Sequence, residues 1–320
     1  MDLLLIINKK AAHAERARLV ALPALESAGV SFGVYETTSP GDATQRTRKA
    51  LRNGCSTIVV IGGDGTLSEA AEGFFEFNED IRQLPGPINA EASLAILPAG
   101  TGDDFARGLR GGRKPLREWI DVLIEHVRSG RPAGYQVDVL YGLVNNYAKP
   151  FICLNASTMG IGGETAGRVA GQGSFMRRFS GEVRFAVAAL QALVFWRERR
   201  VQVTVDHEVM IDGPMNLAAV ANGRYAGGGM LLSPEAQNND GKLDVVTASG
   251  LSRSRVLREL SRIHTGGHVK NHSVQITQGK AVRIHTFSDV DSMRLEADGN
   301  VRGVTPVQFQ VMPRALRFVC

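Results

Sequence analysis

The first 130 residues alternate short apolar runs with longer segments whose apolar positions follow a helical period. Continuous apolar runs at 3–7, 56–61 and 93–97 are typical of strands buried on both faces, and a further strand is predicted at 30–35. Helical spacing over 14–28, 42–53 and 67–77 predicts helices between these strands. Strands and helices in this order indicate a doubly wound parallel α/β/α sheet.

After Pro132 the pattern changes to short β-rich stretches. Strands are predicted at 135–140, 151–156, 201–206, 215–221, 243–248, 273–277 and 281–286, with helices near 181–196 and 252–264. Such a run predicts an antiparallel β-sandwich. We therefore expect an α/β domain at 1–130 and a larger β-rich domain at 131–320. The stretch 307–319 adds one or two strands that either domain could take.

The composition indicates a globular protein and favours some classes of partner over others. The 320 residues are 43% hydrophobic and 22% charged, as expected of a globular protein of about two domains. Lys and Arg number 37 against 32 Asp and Glu, and the net charge of +5 favours contact with phosphates or an anionic membrane surface. Aromatic residues are only 6% and no recognition motif is present, so nucleic acid is not expected as a partner.

Cysteine usage and the length of the apolar runs predict where the protein works. The 3 cysteines are too few and too widely spaced for a disulfide framework, which predicts a reducing, cytoplasmic setting. No apolar run is long enough to predict a transmembrane helix. Any contact with a membrane is therefore expected to be peripheral.

Two glycine-rich turns carry the strongest chemical signal. The sequence GGDGT at 62–66 follows the strand at 56–61, and PAGTGDDFAR at 98–107 follows the strand at 93–97. Glycines in such turns let backbone N–H groups approach phosphate oxygens, and Asp64 is suited to bind a magnesium ion or a substrate hydroxyl. Open α/β sheets bind ligands at this edge. Taken alone, the GGDGT turn is explained equally well as a structural connection between strand and helix, with Asp64 as the helix cap.

A third segment joins a glycine triplet to an acidic loop. Gly227, Gly228 and Gly229 precede a carboxylate-rich loop that reads NDGKLD at 239–244. The loop predicts a bound cation at Asp240, and the alternative is an Asp-Gly hairpin that needs no ion.

In order and spacing these motifs resemble the diacylglycerol kinase catalytic-domain family, which includes YegS-like bacterial lipid kinases and the sphingosine and ceramide kinases. The resemblance rests on GGDGT at 62–66, the GTG and AR residues within 98–107, NxSxxG at 155–160, and the GGGM and DG residues between 227 and 241. It covers nearly the whole chain. It implies a magnesium-dependent kinase that transfers the γ-phosphoryl group of ATP to a lipid hydroxyl, with ATP between a nucleotide-binding domain and a lipid-substrate domain.

The resemblance also assigns roles to individual residues. It implies that ATP is bound by Asn8, Gly62, Gly63, Gly65, Thr66, Gly100 and Thr101. It places Asp64 and Asp104 in an acidic, magnesium-linked network. It further implies a structural magnesium ion held by the Asp240 carboxylate and by the carbonyl oxygens of Gln237 and Lys242, a set of oxygen ligands that suits a hard cation.

Three positions depart from the family pattern. The first loop keeps Asn8 but has lysines where the family has Pro and Gly, so Lys9 or Lys10 is a candidate for phosphate contact. Asp103 replaces an Asn and adds a negative charge beside the phosphates. Asn300 replaces the Glu that is the family's proposed general base, and an amide accepts no proton at neutral pH. We therefore predict Asp64 as the principal catalytic residue, with Asp298 second.

Several alternatives stay open. Asn300 favours a catalytically silent homologue that binds lipid or nucleotide. An NAD kinase is a further alternative, because such enzymes share the GGDG turn, but this chain shows no NAD kinase signature in its second domain. The apolar helix predicted near 181–196 is bracketed by basic residues at 177–178 and 197–200, which fits either an interfacial membrane helix or a core helix with snorkelling arginines. The acceptor lipid is not identified, and a homodimer is neither required nor excluded.

Overall fold

The computed structural model describes residues 2–144, 149–173, 175–176, 179 and 181–320. Two compact units divide the chain, the first comprising Met1–Val139 and Met312–Cys320 and the second Leu140–Val311. Sequence analysis put the domain boundary at 130, whereas the chain changes unit inside two long strands, Tyr135–Val144 and Val307–Val319.

The first unit alternates strands and helices. Its elements are β1 (Leu3–Ile7), α1 (Ala14–Ser27), β2 (Gly33–Glu36), α2 (Asp42–Arg52), β3 (Thr57–Gly62), α3 (Asp64–Glu72), β4 (Phe75–Glu76), β5 (Gly86–Pro87), β6 (Ser93–Pro98), α4 (Asp104–Arg110) and α5 (Leu116–Ser129). The chain's last strand adds its C-terminal residues to this unit's sheet. The predicted α/β fold is confirmed.

Strands β2, β1, β3, β6 and the C-terminal strand lie side by side in that order and run parallel. Thr57 pairs with Leu3 on one side and with Ser93 on the other, and Ser93 pairs with Arg317. Every residue of β1 and β3 is buried, as expected of central strands covered on both faces. This register brings the ends of β1, β3 and β6 to the same edge of the sheet.

The second unit is built largely of antiparallel strands. Its elements are β7 (Tyr135–Val144), β8 (Lys149–Cys153), β9 (Ala156–Gly160), α6 (Ile161–Ala170), α7 (Gly181–Phe195), β10 (Arg199–Val205), β11 (Glu208–Met215), β12 (Leu217–Ala221), β13 (Tyr225–Ala226), β14 (Met230–Leu231), β15 (Leu243–Ala248), α8 (Arg253–Arg262), β16 (Val274–Gly279), β17 (Ala281–Thr286), β18 (Arg294–Ala297), β19 (Asn300–Val304) and β20 (Val307–Val319). The predicted β-sandwich is confirmed.

Two antiparallel layers share one core in this unit. One layer is the sheet β16-β15-β12-β9-β18-β19, and the other contains β11-β10-β17-β20. Val220 and Val245 of the first layer pack in the same buried cluster as Val203, Ile284 and Phe309 of the second. Alternating apolar positions on each layer therefore face a common interior.

Two predicted elements have different bounds in the structure, and contacts distant in sequence lie beside both. The helix predicted at 67–77 is α3, which ends at Glu72 and is followed by Gly73. A Cβ on Gly73 would lie 2.6 Å from Thr47 Cβ, so the close approach of α2 requires glycine there. The strand predicted at 151–156 is broken after Cys153, because the following N–H groups donate to a side chain described below.

Candidate active site

Three turns are joined by direct hydrogen bonds. The first turn follows β1, the second follows β3 and the third follows β6. Asn8 Nδ2 donates to Thr66 Oγ1 over 2.9 Å, and the Asn8 backbone N–H donates to the carbonyl of Ile61 over 3.0 Å. The Ala99 N–H donates to the Gly62 carbonyl over 2.9 Å. The structure therefore brings together the three turns that sequence analysis selected.

Glycine is required where the second and third turns touch. A Cβ on Gly100 would lie 2.7 Å from Gly63 Cα and 2.7 Å from Asp103 Oδ1. A Cβ on Gly62 would lie 3.0 Å from Thr66 Cβ, so that turn is also tight. Gly63, Gly65 and Gly100 are partly exposed, and Thr101 is exposed. Without bulky side chains, the backbone N–H groups at the start of α3 are accessible to the oxygens of a phosphate chain.

Asp64 links the second and third turns through its carboxylate. Asp64 Oδ2 accepts the N–H of Asp104 over 3.0 Å, and Oδ1 accepts the N–H of Phe105 over 3.0 Å. Both donors belong to the first turn of α4, whose free N–H groups are stabilised by a negative charge. Asp64 itself stays partly exposed, whereas the side chain of Asp104 is buried, with 4% relative exposure for the residue.

Asp103 stabilises the third turn from within. Its Oδ1 accepts the N–H of Gly100 over 2.9 Å, and its backbone has the left-handed φ of 50° that Asp and Asn tolerate. Burial, together with the nearby negative charge of Asp64, raises the pKa of Asp103 to about 6. A second ionised carboxylate is therefore unfavourable here until a cation compensates it.

Two arginines to which sequence analysis gave no role donate hydrogen bonds to the third turn. Arg113 donates to the carbonyl of Thr101, and Arg107 donates to the carbonyl of Gly102 over 3.2 Å. Their guanidinium groups bring positive charge to the turn that carries Asp103. The AR residues at 106–107 gave a signal for Arg107, whereas Arg113 lies in a glycine-rich stretch with no motif of its own.

Lys9, one of the two candidates for phosphate contact, is engaged elsewhere. Its Nζ lies 2.5 Å from Glu36 Oε2, in an ion pair at the surface. Lys10 is exposed, and its backbone N–H donates to Asn8 Oδ1 over 3.0 Å, which fixes the Asn8 side chain toward Thr66.

In the second unit, Asp298 organises a backbone turn. Its carboxylate accepts the N–H groups of Leu154 over 2.6 Å, Asn155 over 3.0 Å and Ala156 over 3.0 Å. The residue is 6% exposed and has a left-handed φ of 48°. Burial and the Asp298 charge raise the pKa of Cys153, whose thiol lies 3.4 Å from the same carboxylate. These contacts favour a positioning role for Asp298 over proton transfer.

The family motifs of the second unit converge on that turn. Asn155 Nδ2 donates to the carbonyl of Tyr225 over 2.7 Å, which ties the turn to the segment with the glycine triplet. Glu296, which sequence analysis did not select, accepts the Thr158 hydroxyl over 2.7 Å and the Gly299 N–H over 2.5 Å. A carboxylate therefore lies beside the hairpin turn that carries Asn300.

The loop predicted to hold a cation has its residues at the surface. Gln237, Asp240 and Lys242 are exposed, and Asp240 Oδ1 accepts the Lys242 N–H over 3.0 Å. Burial raises the pKa of nearby Asp244, and the negative charge of Asp240 adds to the effect. Among the described residues no group of three or more His, Cys, Asp or Glu side chains is arranged to hold a metal. Carbonyl oxygens would have to complete this site.

Asp240→Ala tests the loop cation. If the loop holds magnesium, the variant is expected to lower the Tm by about 2–4 °C in its presence, the shift that about 1 kcal/mol produces in domains of 150–250 residues. A chelator should lower the Tm of the parent protein and leave the variant unchanged, as followed by calorimetry. Asp289→Ala, at another exposed position, is the control. A variant that matches the parent in both measurements would contradict the site.

Asp103→Asn is expected to stabilise the protein above pH 6 and to have little effect at pH 4. The pKa of Asp103 is about 6 in the folded chain against an ordinary 3.8, so the folded state binds more protons than the unfolded state between these values. The parent therefore loses stability as the pH rises from about 4 to about 6, and Asn does not titrate. We expect a gain of about 1–3 kcal/mol at pH 7.5.

Urea unfolding from pH 4 to pH 8, without nucleotide or magnesium, measures this effect. Asp42→Asn is the control with the opposite sign, because the N–H and hydroxyl groups of Thr38 and Ser39 hold the pKa of Asp42 well below its ordinary range. Equal responses of the two variants to pH would contradict the assignment.

Comparison with known proteins gives the same pattern as the motifs. Residues 2–133 match the family described as diacylglycerol kinase catalytic domain, and residues 158–320 match the YegS C-terminal NAD kinase beta sandwich-like domain. A protein of Xanthomonas campestris named probable lipid kinase YegS-like is 30% identical over 269 residues, covering 82% of this chain and 78% of that protein. The diacylglycerol kinase of Mycobacterium tuberculosis is 28% identical over 312 residues, covering 96% and 89%.

Solved structures extend the likeness to the fold. A diacylglycerol kinase structure from Bacillus anthracis covers 99% of this chain and 96% of its own, with a TM-score of 0.67 and 20% identity. Yeast NADH kinase, solved with NADH, covers 99% and 82%, with a TM-score of 0.54 and 12% identity. At these identities both comparisons support the fold alone. No described helix is both long and apolar enough to span a membrane.

Proposed function

This chain belongs to the family of diacylglycerol kinases and YegS-like lipid kinases, and from that premise we propose that it transfers the γ-phosphoryl group of ATP to a lipid hydroxyl. The observation that carries the proposal is the junction of the glycine turns after β3 and β6, with Asp64 between them. Diacylglycerol and sphingoid lipids are the proposed acceptors, and a cytoplasmic protein at the membrane surface is the proposed setting.

The residues of the first unit fit a nucleotide. The close contact between Gly63 and Gly100 leaves partly exposed backbone at the start of α3, as a triphosphate requires. Magnesium, when bound with the nucleotide, would offset the charge of the phosphates, and the partly exposed carboxylates of Asp64 and Asp103 would supply the oxygen ligands that it prefers. Asp104, which the resemblance assigns to the same network, has a buried side chain, so Asp103 takes its place in this proposal. Such a site would need no group of three acidic side chains, because the nucleotide phosphates and water would supply the remaining ligands.

Asp64 is the residue proposed to assist the attacking hydroxyl. It is partly exposed, and its two oxygens are oriented by the N–H groups of Asp104 and Phe105. In the proposed step the lipid oxygen bonds to the γ-phosphorus as the bond to the bridging oxygen of ADP breaks, and the hydroxyl proton passes to Asp64. Positioning and charge neutralisation supply most of the rate in such transfers.

The test is phosphoryl transfer from labelled ATP with magnesium to micelles of diacylglycerol, sphingosine or ceramide, with NAD as a parallel acceptor. Labelled lipid is expected. Labelled NAD without labelled lipid would favour the NAD kinase alternative. Nucleotide binding without any labelled product would favour the silent homologue, which Asn300 already suggests as the second candidate.

A further inference from the structure

Arg113 lies beside the third turn, which the proposed function assigns to ATP. Its Nη2 donates to the carbonyl of Thr101 and, over 3.5 Å, to the carbonyl of Gly102. The residue is exposed, and among the described residues no carboxylate lies within ion-pair distance of its guanidinium. A guanidinium carries five N–H donors. The N–H groups of Nε and Nη1 therefore remain available to a ligand at this turn.

Two glycines bring Arg113 back to the third turn. Helix α4 begins directly after that turn and has 7 residues, so the chain leaves it about 10 Å away, at 1.5 Å per residue. Gly111 has a φ of 66° and Gly112 a φ of 151°, which L side chains rarely adopt. The Gly112 N–H donates to the carbonyl of Arg107 over 2.9 Å. This reversal directs a long basic side chain along α4 toward the turn.

Contacts other than those of Arg113 already hold the third turn in shape. Asp103 Oδ1 accepts the Gly100 N–H over 2.9 Å, and Arg107 donates to the Gly102 carbonyl over 3.2 Å. The nearer carbonyl that Arg113 contacts belongs to an exposed residue, so water can replace this hydrogen bond at little cost. An arginine with a purely structural role would therefore add little to this turn.

The charge of Arg113 acts on the acidic part of the site. Burial, together with the charge of Asp64, raises the pKa of Asp103 to about 6. The guanidinium groups of Arg113 and Arg107 oppose that rise. Two positive groups thus accompany two carboxylates before any phosphate is bound. The phosphates of a nucleotide add further negative charge, which charge-assisted donors stabilise more strongly than neutral donors do.

The other basic residues that sequence analysis selected differ from Arg113. Lys9 Nζ lies 2.5 Å from Glu36 Oε2, so its charge is already paired. Lys10 is exposed, and the hydrogen bond described above uses its backbone N–H. The arginines at 177–178 lie outside the described residues. The side chain of Arg113, in contrast, contacts one of the glycine turns directly.

We infer that Arg113 is a phosphate-binding residue of the nucleotide site. The inference rests on the proposed function, and it goes further by giving the phosphates a ligand outside the family motifs. Nη2 stays on the Thr101 carbonyl, while Nε and Nη1 donate to phosphate oxygens. Because the carbonyl contact orients the guanidinium beforehand, little side-chain freedom is lost when the nucleotide binds.

The experiment is calorimetric binding of ATP with magnesium, in the absence of lipid. Arg113→Gln is expected to weaken ATP binding by about ten- to a hundredfold, the effect of losing a hydrogen bond to a charged group. Adenosine, which carries no phosphate, should bind the variant and the parent equally. The Tm without nucleotide should not change, because the residue is exposed and its carbonyl contact is replaced by water.

Salt and two further variants separate a charge contact from a displaced turn. ATP binding by the parent should weaken as salt is added, and Arg113→Gln should lose part of that dependence. Arg113→Lys keeps the charge without the planar group, so it should bind ATP more tightly than Arg113→Gln does. Arg117→Gln is the matched control, since it removes an exposed arginine of α5 that pairs with Asp121 over 3.0 Å. It should leave ATP binding unchanged.

The outcomes distinguish this inference from the proposed function. Equal ATP affinity in Arg113→Gln and the parent would overturn the inference alone. So would a lower Tm without nucleotide together with equal losses of adenosine and ATP affinity, which describe a structural arginine. If ATP binding weakens as expected and the parent labels no lipid, the transfer to lipid fails and the role of Arg113 stands. A parent that binds no ATP would overturn both.

Discussion

Asp64→Asn is expected to reduce lipid phosphorylation by about 10²- to 10⁴-fold, the range that general-base assistance contributes. The asparagine keeps the size of the side chain but cannot accept the hydroxyl proton. Its amide also presents N–H where the carboxylate now accepts the N–H groups of Asp104 and Phe105. A modest loss of stability is therefore expected as well. The measurements are kcat with diacylglycerol, ATP affinity by calorimetry and the Tm.

Asp42→Asn is the matched control for that variant. Asp42 also accepts two backbone N–H groups, of Thr38 over 2.7 Å and Ser39 over 3.0 Å, at the start of a helix in the same unit. It takes no part in the glycine turns, so it should lower the Tm without changing kcat. Full activity in Asp64→Asn would show that another residue takes the proton. If Asn300→Glu alone created activity in an inert parent, the silent homologue would be the correct description.

Asp298→Ala is expected to destabilise the second unit by about 3–5 kcal/mol, since it leaves three backbone N–H groups without their acceptor, each a cost of about 1–3 kcal/mol when buried. Alanine also adopts the left-handed φ of 48° less readily than Asp does. Urea unfolding followed by circular dichroism measures the loss. Asp289→Ala, at an exposed position of the same unit, should have little effect.

Asp298→Asn separates folding from catalysis, because asparagine tolerates the backbone conformation and keeps one acceptor oxygen. If Asp298 positions the turn at 154–156, activity and stability should fall together in this variant. If stability holds while kcat falls by about 10²-fold or more, Asp298 is the base and the assignment to Asp64 is wrong.

Sequence analysis located the glycine turns but missed side chains that contact the turns of the candidate site. GGDGT at 62–66 is recognisable because a tight turn between strand and helix needs glycine locally. Arg113 and Glu296 were not predicted, since neither contact follows from a local pattern: Arg113 reaches the turn at 101–102, which lies beyond the intervening helix α4, and Glu296 contacts Thr158 across 138 residues. The raised pKa of Asp103 depends on its burial and on the distance to Asp64, neither of which is local.

By itself the sequence determined the order of elements, the change from an α/β to an antiparallel pattern and the places where chemistry is concentrated, because apolar periodicity and glycine turns act over a few residues. Only the tertiary structure decided which groups meet. Gly100 must be glycine because Gly63 lies against it, Gly73 must be glycine because Thr47 of α2 lies against it, and the strand predicted at 151–156 breaks because its N–H groups donate to Asp298. Each depends on atoms brought together by packing, and the distance between them is not encoded in the local pattern of residues.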